Sequence, residues 1–80
     1  MSIAQRIEAF VVDEIMIADS GTKLDHDENL LKNGVLDSLS LLRLISFVEE
    51  SFNVHIEDEE IVPANFQSIN KAVSFVEGKK

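Results

Sequence analysis

Apolar residues recur at helical spacing in three separated stretches of this chain. Ile3, Ile7, Phe10, Val11 and Ile15 fall three or four residues apart, with Gln5, Arg6, Glu8 and Asp13 on the other side. The pattern predicts an amphipathic helix that Ser2 caps. It fades near Ala18, and Asp19-Ser20-Gly21-Thr22 reads as its stop signal. A second helix is expected from about Ser38 to Phe52, carried by Leu41, Leu42, Ile45, Val48 and Phe52. Leu44 and Phe47 widen its apolar stripe, which places this helix at the centre of the fold. The last helix bears Ile69, Ala72, Val73 and Val76, capped by Ser68 and ended by Gly78, with Gly78-Lys79-Lys80 as a frayed tail.

The segments between them are less periodic. From Ser20 to Leu36 runs a long connection rich in Asp, Asn and Gly, a length that in compact domains is uncommon and tends to be functional. Leu24, Leu30, Leu31, Val35 and Leu36 predict that it packs back on the helices. Leu30-Leu31-Lys32 reads as one helical turn, ended by Asn33-Gly34. Ile61 to Phe66 reads as a short helical piece with Pro63 near its first turn. Phe52 to Ile56 alternates too briefly to make a strand. The expected fold is all-α: a four-helix bundle of three longer helices and one short one, with a long loop between the first two.

Eighty residues bound this to a single domain over residues 1–80 with a core of limited depth. An absence of cysteine removes disulfides and thiolate zinc sites. Seven basic residues against fifteen acidic ones give a formal charge of −8. That field disfavours nucleic acid and anionic lipid and favours partners with basic docking surfaces. No apolar run approaches the roughly 20 residues of a spanning helix, and Met1-Ser2-Ile3 lacks a basic leader, so a complete, cytoplasmic and monomeric chain without membrane insertion is expected.

Few residues offer chemistry. Asp25-His26-Asp27-Glu28-Asn29 starts like a calcium loop, but Leu30 stands where the turn needs Gly and Leu36 where the bidentate Glu belongs. A solvated acidic turn is expected there. His26 and His55 form no metal-ligating pair by spacing and are read as surface or half-buried. Glu57-Asp58-Glu59-Glu60 reads as a solvated helix start favoured by the dipole. No metal site and no catalytic residue is expected: Ser38 lacks both a base with an orienting partner and the preceding strand of a nucleophile elbow.

Ser38 remains, either as a helix cap or as a point of covalent attachment. Asp37 can serve as the cap, which frees the Ser38 hydroxyl to face outward. A phosphodiester there would sit at the positive end of the helix dipole, a contribution of about 0.3–1 kcal/mol.

Gly34-Val35-Leu36-Asp37-Ser38-Leu39, in register with Val48-Glu49-Glu50-Ser51-Phe52, Ile56 and Phe66-Gln67-Ser68-Ile69, resembles the phosphopantetheine-bearing carrier proteins over about Ile3 to Val76. That family comprises acyl carrier proteins and their peptidyl, aminoacyl and D-alanyl relatives. The resemblance implies a bundle with no catalysis of its own. A phosphopantetheinyl transferase would move 4'-phosphopantetheine from coenzyme A to Ser38, flanked by Asp37 and Leu39. The arm's thiol would then hold an acyl or aminoacyl group as a thioester and present it to loading and downstream biosynthetic enzymes.

By position, Leu39, Ser40, Leu42, Arg43, Ser46, Glu49 and Glu50 would contact partners. Leu44, Val48, Phe52 and Ile56 would line the space an acyl chain can enter, although plain core packing also accounts for those four. Fatty-acid carriers typically place acids where Ser40 and Arg43 stand, and Pro63-Ala64-Asn65-Phe66 is more like the discrete D-alanyl, aminoacyl or peptidyl carriers. These departures lean towards a specialised stand-alone carrier in place of the one that serves fatty acid biosynthesis. A non-modified acidic helical adaptor is the alternative from another class.

Overall fold

A computed structural model describes residues 2–18 and 22–79, in which helices α1 (Ile3–Phe10), α2 (Ser38–Phe52), α3 (Pro63–Phe66) and α4 (Ile69–Lys79) follow one another without a strand. Asp19, Ser20 and Gly21 of the expected stop signal, with Met1 and Lys80 at the ends, lie outside the described residues. The all-α expectation holds.

Local chemistry explains where α1 starts. Ser2 Oγ accepts the Gln5 N–H at 3.1 Å, and Gln5 Oε1 accepts the Ser2 N–H at 2.9 Å. This reciprocal pairing satisfies two of the donors a helix start leaves open. Beyond Phe10 the chain does not stay α-helical as the periodicity predicts. Val11–Ile15 form a π-helix, closed by the Met16 N–H donating to the Val11 carbonyl at 2.8 Å. The wider turn buries Val11 and Val12 side by side, and Val12 is a core residue that a 3.6-residue period does not select.

Antiparallel contacts join α1 to α2. The Arg6 guanidinium lies 4.8 Å above the Phe52 ring, Phe10 stacks on Phe47 at 4.3 Å, and Arg43 meets Glu14 at 3.9 Å. Arg6 therefore covers an aromatic face instead of pointing into water. Within α2, Leu44, Ile45, Val48 and Phe52 are buried. Leu42, admitted to the apolar stripe by spacing, is 52% exposed.

The connection between α1 and α2 packs back as expected: Leu30 and Leu36 are buried, with Leu24, Leu31 and Val35 against the core. Residues 30–34 make a turn rather than a closed helical piece, and Gly34 takes φ +86, a value L-residues adopt only with strain. The acidic stretch is braced rather than simply solvated. Asp25 Oδ1 accepts the Asp27 N–H at 2.9 Å, Asp27 Oδ1 accepts the Asn70 side-chain amide at 2.7 Å, and the Glu28 carboxylate accepts from Asn33. Toward α4, the Leu30 N–H donates to the Gln67 carbonyl at 2.6 Å and the Asn70 N–H to the His26 carbonyl at 2.9 Å.

Toward α1 the fastening runs through one carboxylate. Glu8 accepts the Leu24 N–H at 2.9 Å on one oxygen, and His26 Nε2 at 2.8 Å on the other. The bond from His26, then that from Leu24, hold the Glu8 carboxyl below its usual range. A depressed folded pKa means stability present above the unfolded value and lost as pH falls through the folded one. Urea melts should therefore show Glu8→Gln less stable than the parent near neutral pH, with the gap closing below about pH 4.5, the unfolded range. A gap independent of pH would show that the carboxylate is not what fastens the loop.

Past α2, Asn53 adopts a left-handed conformation that ends the helix. Glu57 to Glu60 build their own 3-10 turn, in which Glu60 Oε1 accepts the Glu57 N–H at 2.9 Å. Glu60 also takes the Lys79 ammonium at 2.7 Å, so this run is a bracket and not a plain solvated helix start. The same contact, with Lys79 Nζ 5.6 Å from the Phe75 ring, explains why α4 continues through Gly78 to Lys79 instead of fraying there. Pro63 is the first residue of α3, and Ser68 Oγ caps α4 through the Lys71 N–H at 3.1 Å, both as the sequence predicts. Ile7, Val11, Leu30, Leu44, Val48, Phe66, Ile69 and Val76 meet in one core.

Candidate functional site

The loop and α2 meet at Asp37. With β-region dihedrals, Asp37 turns its carboxylate over the helix start, and Oδ1 accepts the Ser40 N–H at 2.8 Å. That hydrogen bond, made by the ionised form, pulls the Asp37 carboxyl below its usual range. Ser38 is thus the first helical residue and not the cap, and it is exposed. Its hydroxyl stands at the positive end of a 15-residue helix dipole, beside a carboxylate already committed to the backbone. Leu39, next in the chain, is 70% exposed.

The other side chains singled out by position divide into three groups. Leu42, Arg43, Ser46 and Glu50 are exposed along α2, and Ser40 is half-buried. Arg43, Ser46 and Glu50 border an open groove with Phe10 and Phe47. Glu49 is partly spent on the fold: its Oε2 accepts the Ile56 N–H at 2.9 Å and lies 3.6 Å from His55 Nδ1. Leu44, Val48, Phe52 and Ile56 are all buried and belong to the one apolar core.

His55 is exposed between Glu49 and Glu57, whereas His26 is half-buried against Glu8. No cluster of three or more metal-ligating side chains occurs among the described residues, and no described helix is long and apolar enough to cross a membrane. The Glu8–His26 fastening escaped the sequence reading, because nothing in residue spacing joins a helix to a loop half a domain away.

No family model matches the chain. An acyl carrier protein from Solidesulfovibrio magneticus is 32% identical over 80 residues, spanning 100% of this chain and 97% of the relative. This chain belongs to the acyl carrier protein family. An acyl carrier protein from Buchnera aphidicola subsp. Acyrthosiphon pisum is 28% identical over 98% of this chain and 92% of its own length. A D-alanyl carrier protein from Streptococcus suis is 32% identical over 66 residues, 82% of this carrier and 81% of the relative. The helical bundle and the family agree, and the chain is a carrier protein.

Proposed function

We propose that this carrier holds acyl or aminoacyl intermediates as thioesters on a 4'-phosphopantetheine arm attached to Ser38. The single observation that carries the reading is the division of labour at the start of α2. Asp37 makes the capping bond at 2.8 Å and Ser38, exposed, does not have to. A serine needed as a cap would have to leave that bond when esterified, whereas this one can be modified with the helix intact. The arm supplies a thiol for thioester formation. The chain supplies the attachment oxygen, the helix dipole that favours a phosphodiester, and an exposed approach.

In this reading the protein is a stand-alone single domain without catalysis of its own. A phosphopantetheinyl transferase takes the arm from coenzyme A, and loading and downstream biosynthetic enzymes dock along α2 at Leu39, Leu42, Arg43, Ser46 and Glu50. Glu49, half-buried and bonded to Ile56, contributes less to docking than its position implies. Leu44, Val48, Phe52 and Ile56 serve first as core, and an acyl chain enters among them only by displacing packed side chains.

A D-alanyl, aminoacyl or peptidyl cargo is the second reading. It is favoured by Arg43, a cation on α2, by Pro63 opening α3, and by similarity to the Streptococcus suis carrier. The test is intact mass after incubation with coenzyme A and a broad-specificity phosphopantetheinyl transferase. Addition of one phosphopantetheine is expected. An unchanged mass would leave the non-modified acidic adaptor as the reading.

A further inference from the structure

Asn33-Gly34 does more than turn the chain. The backbone nitrogen that follows an asparagine can close on the side-chain carboxamide to form a cyclic imide. A side chain on the attacking residue hinders that closure, and glycine has none. Asn29, Asn53, Asn65 and Asn70 precede Leu, Val, Phe and Lys, so Asn33 alone is followed by a glycine. Asn33 and Gly34 are both exposed, and a side chain added at Gly34 would meet no atom within 4 Å. The nucleophile is therefore unshielded as well as unbranched.

The fold grips the carboxamide at both ends. Asn33 Oδ1 accepts the Val35 N–H at 3.0 Å, and Asn33 Nδ2 donates to the exposed Glu28 carboxylate. These two bonds act oppositely on ring closure. Attack at Cγ moves negative charge onto Oδ1, where the Val35 N–H already points and would stabilise it. The same attack makes Cγ tetrahedral and turns Nδ2 into the leaving group, so the bond to Glu28 has to be given up. A carboxylate only accepts, and it has no proton to hand to departing ammonia.

We propose that Asn33-Gly34 is a self-modification site, deamidated by the chain's own backbone, and that Glu28 is the contact that restrains it. Gly34 N loses its proton to solvent and forms the bond to Asn33 Cγ. The tetrahedral oxyanion then collapses, and Nδ2 leaves as ammonia with a proton from water. Water opens the resulting succinimide at either carbonyl, which gives aspartate or isoaspartate. Either product sets a carboxylate against Glu28 where an amide had donated to it, so the brace cannot re-form. Isoaspartate also lengthens the main chain inside the turn that the Leu36 N–H closes on the Leu30 carbonyl at 2.9 Å. The loop before α2 is thereby loosened once and irreversibly. Nothing in this chemistry depends on what Ser38 carries.

The test is intact mass and peptide mapping of the full chain in mildly alkaline buffer, continued until parent unfolded in urea has converted most of its Asn33. The folded parent should convert Asn33 more slowly, with isoaspartate among the products. Glu28→Ala should raise the folded rate about 3–10-fold, the kinetic equivalent of one hydrogen bond. Glu28→Gln, whose side-chain oxygen still accepts the Asn33 amide, should stay within about twofold of the parent. His26→Ala frees the loop from Glu8 without touching Asn33, and should also stay within about twofold. Asn33→Asp, the direct product, should melt at least about 2 °C below the parent. No conversion at Asn33 in either the folded parent or Glu28→Ala refutes the site. The restraint is refuted by a folded parent as fast as the unfolded one, or by Glu28→Ala reacting at the parental rate. It is equally refuted if His26→Ala reacts as fast as Glu28→Ala, or if Asn33→Asp melts with the parent.

Discussion

Ser38→Ala should abolish the mass gain from coenzyme A while leaving the thermal midpoint within about 4 °C of the parent. Both halves follow from the start of α2. The hydroxyl is the proposed attachment oxygen, so no adduct can form without it. The capping bond belongs to Asp37 Oδ1 and the Ser40 N–H, so removing the neighbouring hydroxyl leaves the helix closed. Substituting Asp37 should do the reverse for stability. Asp37→Ala lowers the midpoint by removing the acceptor, and Asp37→Asn restores most of it, because an amide oxygen caps as well as a carboxylate. An adduct that persists in Ser38→Ala would move the attachment to another residue. A Ser38→Ala protein that melts far below the parent would show that the serine, and not Asp37, secures the helix.

Phe66→Ala should have the largest effect on stability, a loss of about 3–5 kcal/mol. Phe66 is 0% exposed and packs its ring 5.0 Å from that of Phe75. Small domains are stable by about 5–15 kcal/mol in all, so one such cavity removes a large share. The position matters beyond packing. Phe66 ends the four-residue α3, and the next residue, Gln67, offers the carbonyl that the Leu30 N–H reaches at 2.6 Å. Loosening α3 should therefore loosen the loop that leads to Ser38. Urea denaturation measures the loss directly, and the thermal midpoint should drop by at least about 12 °C. A loss under about 1 kcal/mol would mean that α3 is not part of the cooperative core.

Periodicity in the sequence was enough for the bounds of α2, for Ser2 and Ser68 as caps, for Pro63 at the head of α3 and for the inward packing of Leu30 and Leu36. These depend on neighbours within a few residues, where spacing and cap chemistry act. The π-helix at Val11–Ile15 was not legible, because an α period and a π period diverge by one residue and only the joint burial of Val11 and Val12 in the folded chain marks the difference. The end of α4 was misjudged for the same reason. Gly78 is a fair stop signal, but Lys79 finds Glu60, a residue distant in sequence.

The family could be read from Asp37-Ser38-Leu39 in register with the helices, because that signature is local, and the same signature singles out Ser38 for the proposed attachment. Tertiary structure decided what surrounds it. It assigned the cap to Asp37, spent Glu49 on Ile56, and fastened the acidic loop through Glu8 and His26. It also held Ile17 in a left-handed conformation. Contacts of that kind join residues far apart in the chain, and their geometry exists only once the helices have packed.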